Sequence, residues 1–234
     1  MAGTCRIDAD KYKAVLFDLD GVITDTMGLH YEAYRRAFAN YGIEVSKLKI
    51  YTLEGMPSMD VGKEIVEEKH ADLTTDQVRA LVEEKRQLYR KLAEEKVSAF
   101  PGVPETLRLL RRHGIKLALV TGSNLISVTM TLRKVGLENA FDVIVTGDST
   151  PRGKPYPDPY AKGMEMLGVP GENCVVVENA PLGIKAAKAA GAGYVIAVTT
   201  TLPPEYLKEA DDVMPSFADI EDCLARRLAR KGLR

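Results

Sequence analysis

The sequence predicts an α/β fold: a parallel sheet core with an α-helical domain inserted after its first strand. Three observations carry that prediction. Through the second half of the chain, short apolar runs alternate with amphipathic stretches, the rhythm of a parallel sheet covered by helices on both faces. Glycines follow the amphipathic stretches, where left-handed helix ends belong. Between about Met27 and Val97 no convincing strand occurs, and the segment is rich in Glu, Lys and Arg.

The first predicted strand is Ala14-Val15-Leu16-Phe17, apolar without a polar face and therefore buried on both sides. Helices are then expected over His30–Asn40, Ser58–Lys69 and Thr75–Glu95. Thr75-Asp76 makes a helix start, with acidic residues first and basic ones later. Hinges are expected at Thr24–Gly28 and at Ser98–Gly102, where Phe100-Pro101-Gly102 halts the helix. Further strands follow at Leu117–Val120, Val143–Thr146, Cys174–Val177 and Tyr194–Val198. Helices between and around them span Val103–His113, Leu125–Val135, Pro159–Leu167 and Leu182–Ala190, each stopped by Gly114, Gly136, Gly168 or Gly191. The expected domains are residues 1–26 with 98–234 as the sheet core, and 27–97 as the helical insertion.

The chain has 234 residues, 45% hydrophobic and 28% charged, with a net charge of −1. That is a globular composition, neither disordered nor membrane-embedded. Such a length buries roughly 70–75% of its unfolded surface, enough for one large core and a smaller one. Near-neutral charge gives no case for nucleic acid or an anionic membrane as a partner. The basic C-terminal stretch (Arg226, Arg227, Arg230, Lys231, Arg234) is broken by Leu and Ala at helical spacing and reads as a solvated helix face. Cys5, Cys174 and Cys223 lack metal or redox spacing, which fits a reduced, cytoplasmic setting. The N-terminus has no signal-like apolar core, and no apolar stretch is long enough to span a bilayer.

Four polar clusters each follow a predicted strand: Asp18-Leu19-Asp20-Gly21, Thr121-Gly122-Ser123-Asn124, Lys154 within Arg152–Asp158, and Glu178-Asn179. Each also has a plainer reading: Asp-Gly and Glu-Asn as turns, Thr121–Asn124 as a helix cap, Lys154 as a surface lysine. Ligands of parallel sheets bind beyond the carboxyl ends of strands, so all four belong on one edge. Carboxylates there suit Mg²⁺, and a lysine with helix-start amides suits phosphate. Gly147–Lys154 is one residue too long for a Walker loop, and Pro155 stands where its hydroxyl belongs. Gly191-Ala192-Gly193 precedes a strand instead of following one, so it is no dinucleotide fingerprint.

These four motifs, in this order, resemble the haloacid dehalogenase-like superfamily. Lys13–Thr26, reading KAVLFDLDGVITDT, is similar to the signature of its β-phosphoglucomutase and phosphatase branch. The resemblance implies a Rossmann-like core with residues 27–97 as a cap. It implies Asp18 as the nucleophile that becomes an aspartyl phosphate, and Asp20 as general acid and base. Thr121, Gly122, Ser123 and Lys154 would hold the phosphoryl oxygens. Asp18, Asp20 through its carbonyl, Glu178 and Asn179 would hold Mg²⁺. Asn179 departs from the family's second acid: an amide oxygen can ligate but carries no charge.

The cap would choose the substrate, a small phosphate ester, with His30, the loop Glu54-Gly55-Met56-Pro57-Ser58 (Gly55 and Ser58 above all) and Lys85 as candidates. Their alternatives are a solvent-facing histidine, a plain turn, and a solvated charge run in Glu83-Glu84-Lys85-Arg86. Mutases of this branch carry an arginine shortly after the cap-loop glycine, and Met56-Pro57-Ser58-Met59 has none. The expected function is therefore a Mg²⁺-dependent phosphatase of small metabolites such as sugar phosphates. A β-phosphoglucomutase is the second reading, and a phosphate-metabolite binding protein with little turnover is the third. Oligomeric state carries no signal, with a monomer the simplest case.

Overall fold

The computed structural model describes residues 11–229, with side chains through residue 224 at the C-terminal end. Cys5, Arg230, Lys231 and Arg234 lie outside the described residues, as do the side chains of Arg226 and Arg227.

Strand β1 (Ala14–Phe17) is followed by the helices α1 (Met27–Ala39), α2 (Lys47–Thr52), α3 (Ser58–Glu68) and α4 (Thr75–Lys96). The chain then runs through α5 (Val103–Arg112), β2 (Lys116–Val120), α6 (Leu125–Lys134), β3 (Val143–Val145) and α7 (Asp158–Leu167). It ends with β4 (Cys174–Glu178), α8 (Pro181–Ala189), β5 (Tyr194–Val198), β6 (Asp212–Met214) and α9 (Phe217–Ala229). The sheet order is β3-β2-β1-β4-β5-β6, and every pairing is parallel. The chain order therefore reverses at β1, placing the crevice beyond β1, β2 and β4.

The strands alternate their side chains between two cores. Val15, Phe17, Leu119 and Val177 face α5, α6 and α9 through Leu107, Val128 and Ile220. Leu16, Val120, Val176 and Ala197 face α7 and α8 through Tyr160, Met164 and Ile184. Helices α1–α4 share a core of their own around Tyr34, Phe38, Ile65 and Leu81. A small cluster around Ala33, Tyr89 and Ala93 brings α4 against Met130 of α6. Thr74 and Gln77 close α4 with a reciprocal capping box, one residue ahead of the expected start.

Several elements differ from expectation. Helix α1 begins at Met27, so Met27 and Gly28 are helical and the first hinge shortens to Thr24–Thr26. Helix α4 ends at Lys96, before Phe100-Pro101-Gly102, which instead leads into α5. Helix α2 was not foreseen: its six residues are too few to show a helical period, and its start is fixed by Ser46 accepting from the Lys49 amide. Strand β6 also escaped notice, being three residues long with an aspartate at its head. Its place is held by Tyr194 donating to Asp212 and by the Val195 amide donating to Asp211. Gly114, Gly136, Gly168 and Gly191 all take positive φ at helix ends, as expected. Cys174 is a buried free thiol, whereas Cys223 is disulfide-bonded, which the spacing of the cysteines did not announce. Among the described residues no helix is long and apolar enough to cross a membrane.

Candidate active site

The sheet edge gathers the four clusters as its topology requires. β1 delivers Asp18 and Asp20, β2 delivers Thr121, the loop before α7 delivers Lys154, and β4 delivers Glu178 and Asn179. All six are buried. Lys154 is the hub: its ammonium donates to Asp18 Oδ1 at 2.6 Å, Glu178 Oε1 at 2.6 Å and the Val120 carbonyl at 3.1 Å. Its three protons are thus all engaged, and the surface-lysine alternative is excluded. Burial opposes its charge, but Asp18 and Glu178 raise its pKa well above the ordinary lysine value.

Glu178 is fully committed. Oε1 also accepts from Tyr160 at 2.6 Å, and Oε2 accepts from the Asn179 amide at 3.0 Å. Tyr160, on α7, is a site residue the sequence reading missed. Burial, with Glu178 and Asp20 nearby, pushes Asp18 up to about 8 despite Lys154. One oxygen of that carboxyl, Oδ2, is buried without a hydrogen-bond partner.

Asp20 sits differently. Oδ1 accepts from Thr26 at 2.6 Å and lies 3.0 Å from His30 Nε2, and Oδ2 accepts from Ser123 at 2.9 Å. Burial alone would raise its pKa, but His30, Thr26 and Ser123 hold it below the usual carboxylate range. The two aspartates therefore part company, one crowded by anions and the other surrounded by donors. The chain turns sharply after Asp20: Gly21 has φ +91°, and a Cβ there would overlap the Asn179 amide and crowd Thr201. Only glycine satisfies both conditions. Thr121 Oγ1 accepts from the Ser123 amide at 3.0 Å, and Asn124 caps α6 through the Ser127 amide.

The helical insertion completes the site. His30 and Lys85 are buried, which excludes the solvent-facing alternatives. Lys85 Nζ lies 2.9 Å from His30 Nδ1 and 4.4 Å from the centre of the Tyr34 ring. An ammonium donating to Nδ1 leaves the imidazole proton on Nε2, toward Asp20. Burial pushes Lys85 down to about 8, and burial with Lys85 beside it lowers His30 as well. The His30 ring stacks on Tyr89 with centroids 3.9 Å apart. Gly55, at φ +84°, lies against Lys154: a Cβ would stand 2.5 Å from its Cδ. A Cβ on Gly122 would stand equally close to the Gly55 carbonyl oxygen. His30, Tyr34, Glu54, Ser58, Lys85 and Ser123 are among the residues around a cavity of about 30 Å³, room for a water molecule but not for a metabolite. Glu54 opens the candidate loop Glu54–Ser58, and the structure places it on the cavity wall beside Gly55.

The donor set fits a divalent cation. Asn179 donates its amide hydrogens to the Asp20 carbonyl at 3.1 Å and to Thr201 at 2.8 Å, so Oδ1 faces away, buried and without a partner. Asp18 Oδ2 and Asn179 Oδ1 are hard oxygens on adjacent strands, where anionic charge is in excess. Among the described residues no three His, Cys, Asp or Glu side chains converge to hold a metal. Of the four expected ligands, Glu178 and Asp20 spend their carboxylate oxygens on protein donors.

Residues 15–197 match the family described as haloacid dehalogenase-like hydrolase. A phosphorylated carbohydrates phosphatase from Thermotoga maritima is 35% identical over 196 residues, covering 81% of this chain and 87% of that one. The fructose-1-phosphate phosphatase of Escherichia coli is 33% identical over 183 residues, covering 78% and 94%. A β-phosphoglucomutase from Clostridium difficile has the same fold, with a TM-score of 0.83 at 26% identity over 95% of this chain and all of that one. The chain therefore belongs to the haloacid dehalogenase-like hydrolase family, in its β-phosphoglucomutase- and phosphatase-like branch.

Proposed function

We propose that this chain is a Mg²⁺-dependent phosphatase of small phosphorylated metabolites, acting in the cytoplasm. The single observation that carries the reading is the lysine-held Asp18 with one unpartnered oxygen, two residues from an Asp20 surrounded by donors. In this reading Asp18 attacks phosphorus through a carboxylate oxygen, forming an aspartyl phosphate and releasing the alcohol. Water then cleaves the acyl phosphate, regenerating Asp18 and yielding inorganic phosphate. The covalent intermediate divides one difficult transfer into two. Asp20, ionised at rest, takes up a proton from solvent as substrate binds, gives it to the leaving oxygen and regains one from the attacking water, with His30 Nε2–H as its neighbour. Lys154, Thr121 and the Gly122 and Ser123 amides bind the phosphoryl oxygens and neutralise charge as it spreads. Asp18 Oδ2 and Asn179 Oδ1, with the Asp20 carbonyl beside them, would hold a divalent cation, which would supply Lewis-acid stabilisation of the phosphoryl group.

Residues 27–97 act as a cap. The cavity of about 30 Å³ admits no sugar phosphate, so the insertion must swing open for substrate to enter and close to exclude bulk water. Phosphatase stands ahead of mutase because Met56-Pro57-Ser58-Met59 offers no cation for a second phosphate. The mutase reading keeps the likeness of Lys13–Thr26 to the β-phosphoglucomutase signature and the structural likeness to a β-phosphoglucomutase. One assay separates them. With β-glucose 1-phosphate and a trace of its bisphosphate, free phosphate is expected. Glucose 6-phosphate accumulating without phosphate release would establish the mutase. Metal-dependent turnover of p-nitrophenyl phosphate rules out a mere binding protein, and chelation should abolish that turnover.

A further inference from the structure

We propose that Glu54 selects substrates by the charge of the leaving group. The site would take phosphate monoesters of uncharged, hydroxyl-rich alcohols and turn away esters that carry a second anion. This rests on the phosphatase reading and assigns its substrate class.

Glu54 stands on the loop between α2 and α3, immediately before the Gly55 that lies against Lys154. It borders the cavity under the insertion, where the alcohol portion of a phosphate ester must lie once its phosphorus reaches Asp18. Its carboxyl is near enough to feel Asp18, Asp20, Lys154 and Glu178, and is itself felt by Lys85 and Tyr89. Four carboxyl groups thus face two ammonium groups. Lys154 is consumed by Asp18, Glu178 and Val120. Lys85 is held by His30 and lies over the Tyr34 ring. Arg86, the next residue along α4, lies 3.9 Å from Glu83 and does not border the cavity, although its Nε is buried without a partner and its charge reaches Tyr34 and Lys85 behind the cavity wall. A divalent cation with the two ammonium groups would just balance four carboxylates, so a single phosphate already leaves the cavity without net positive charge to hold another anion.

Ionised or not, Glu54 offers a second anion no countercharge. As a carboxylate it repels a second anion and accepts hydrogen bonds from hydroxyls. As a carboxylic acid it still provides no countercharge, while donating and accepting in the manner a diol requires. Ser58, with the Tyr34 hydroxyl beside it, adds neutral hydrogen-bonding capacity, and Ile50, Leu53 and Met56 complete an uncharged wall. Discrimination of this kind works through repulsion as much as attraction.

The test is a ratio of kcat/KM values within one preparation, which cancels any inactive fraction. Sorbitol 6-phosphate and glycerol phosphate represent neutral leaving groups; phosphoglycolate and fructose 1,6-bisphosphate represent anionic ones. The native chain should favour the neutral pair by roughly tenfold or more. Glu54→Lys should narrow or reverse that ratio by on the order of tenfold, chiefly through KM for the anionic esters. Glu54→Gln, of the same shape, should narrow it by a smaller factor. An unchanged ratio in Glu54→Lys, or equal turnover of both pairs by the native chain, overturns the proposal while leaving the phosphatase reading intact. Failure to hydrolyse any ester, p-nitrophenyl phosphate included, brings down both.

Discussion

Replacing Lys154 by methionine tests the site most directly. Methionine keeps the length and much of the volume of the buried stem, so packing beneath Gly55 is largely preserved. What disappears is the ammonium between Asp18 and Glu178, with its bonds of 2.6 Å to each. Removing one member of a buried ionic cluster costs about 3–5 kcal/mol, because the remaining charges are stranded. Here the lower end applies. Asp18 titrates near 8 even with Lys154 present, so at neutral pH its carboxyl is already largely protonated and loss of the ammonium strands little charge there. Glu178 keeps Tyr160 and the Asn179 amide as donors. A loss of about 3 kcal/mol in a chain of this size lowers the melting temperature by roughly 6–12 °C. Turnover should fall by about 10²–10³-fold or more, the usual cost of deleting a donor to a reacting oxyanion. Thermal unfolding by circular dichroism and steady-state hydrolysis of p-nitrophenyl phosphate measure the two effects. A melting point within 2 °C of the native value, together with turnover within about threefold, would refute the reasoning about Lys154 and the nucleophile it holds.

Asp18→Asn should abolish turnover in both the phosphatase and the mutase reading; near-normal rates would unseat it as nucleophile. Lys85→Met should stabilise the fold while impairing catalysis. An unfolded lysine titrates at 10.5 and this one near 8, so above 10.5 both states are neutral and no penalty exists. As pH falls from 10.5 to 8 only the unfolded chain gains the proton, and below 8 the penalty levels off at about 3 kcal/mol. Urea melts at pH 7 and pH 10.5 should show the variant's gain at the lower pH and its disappearance at the higher. Gly55→Ala should cost activity more than stability, since φ +84° is strained for alanine by about 1–2 kcal/mol and the new Cβ displaces Lys154. A kcat/KM equal to the native value would sink that expectation. Burial pushes the Cys174 thiol up to about 11, so iodoacetamide at pH 8 should label its peptide only after denaturation, as mass spectrometry would show.

The catalytic edge was legible in the sequence because strand ends announce themselves. An uninterrupted apolar run stops, and Asp18, Thr121 or Glu178 follows within a residue; parallel order then brings these ends together. The helical contribution was harder to see. Lys85 is a candidate in the sequence, but its neighbours Glu83, Glu84 and Arg86 also read as a solvated run; on α4 it shares a face with Leu81, Val82 and Tyr89, all buried. The spacing of three and four residues was present, but a lysine on an apolar stripe acquires meaning only when Asp20 and His30 arrive from elsewhere. His30 belongs to the buried stripe Met27, His30, Tyr34 and Phe38 for the same reason. Tyr160 and Thr201 carry no local signal at all. Their roles arise from contacts between segments far apart in the chain, which periodicity does not encode.

The three-way grip of Lys154 has one more implication. An ammonium group owns three hydrogens, and this one has already given each away. A phosphoryl oxygen arriving at that nitrogen can be received only if a present acceptor lets go. If Asp18 is the one released, the newcomer unlatches the very carboxylate that is to attack it. The resting protein would then keep its most reactive group fastened until cargo is aboard.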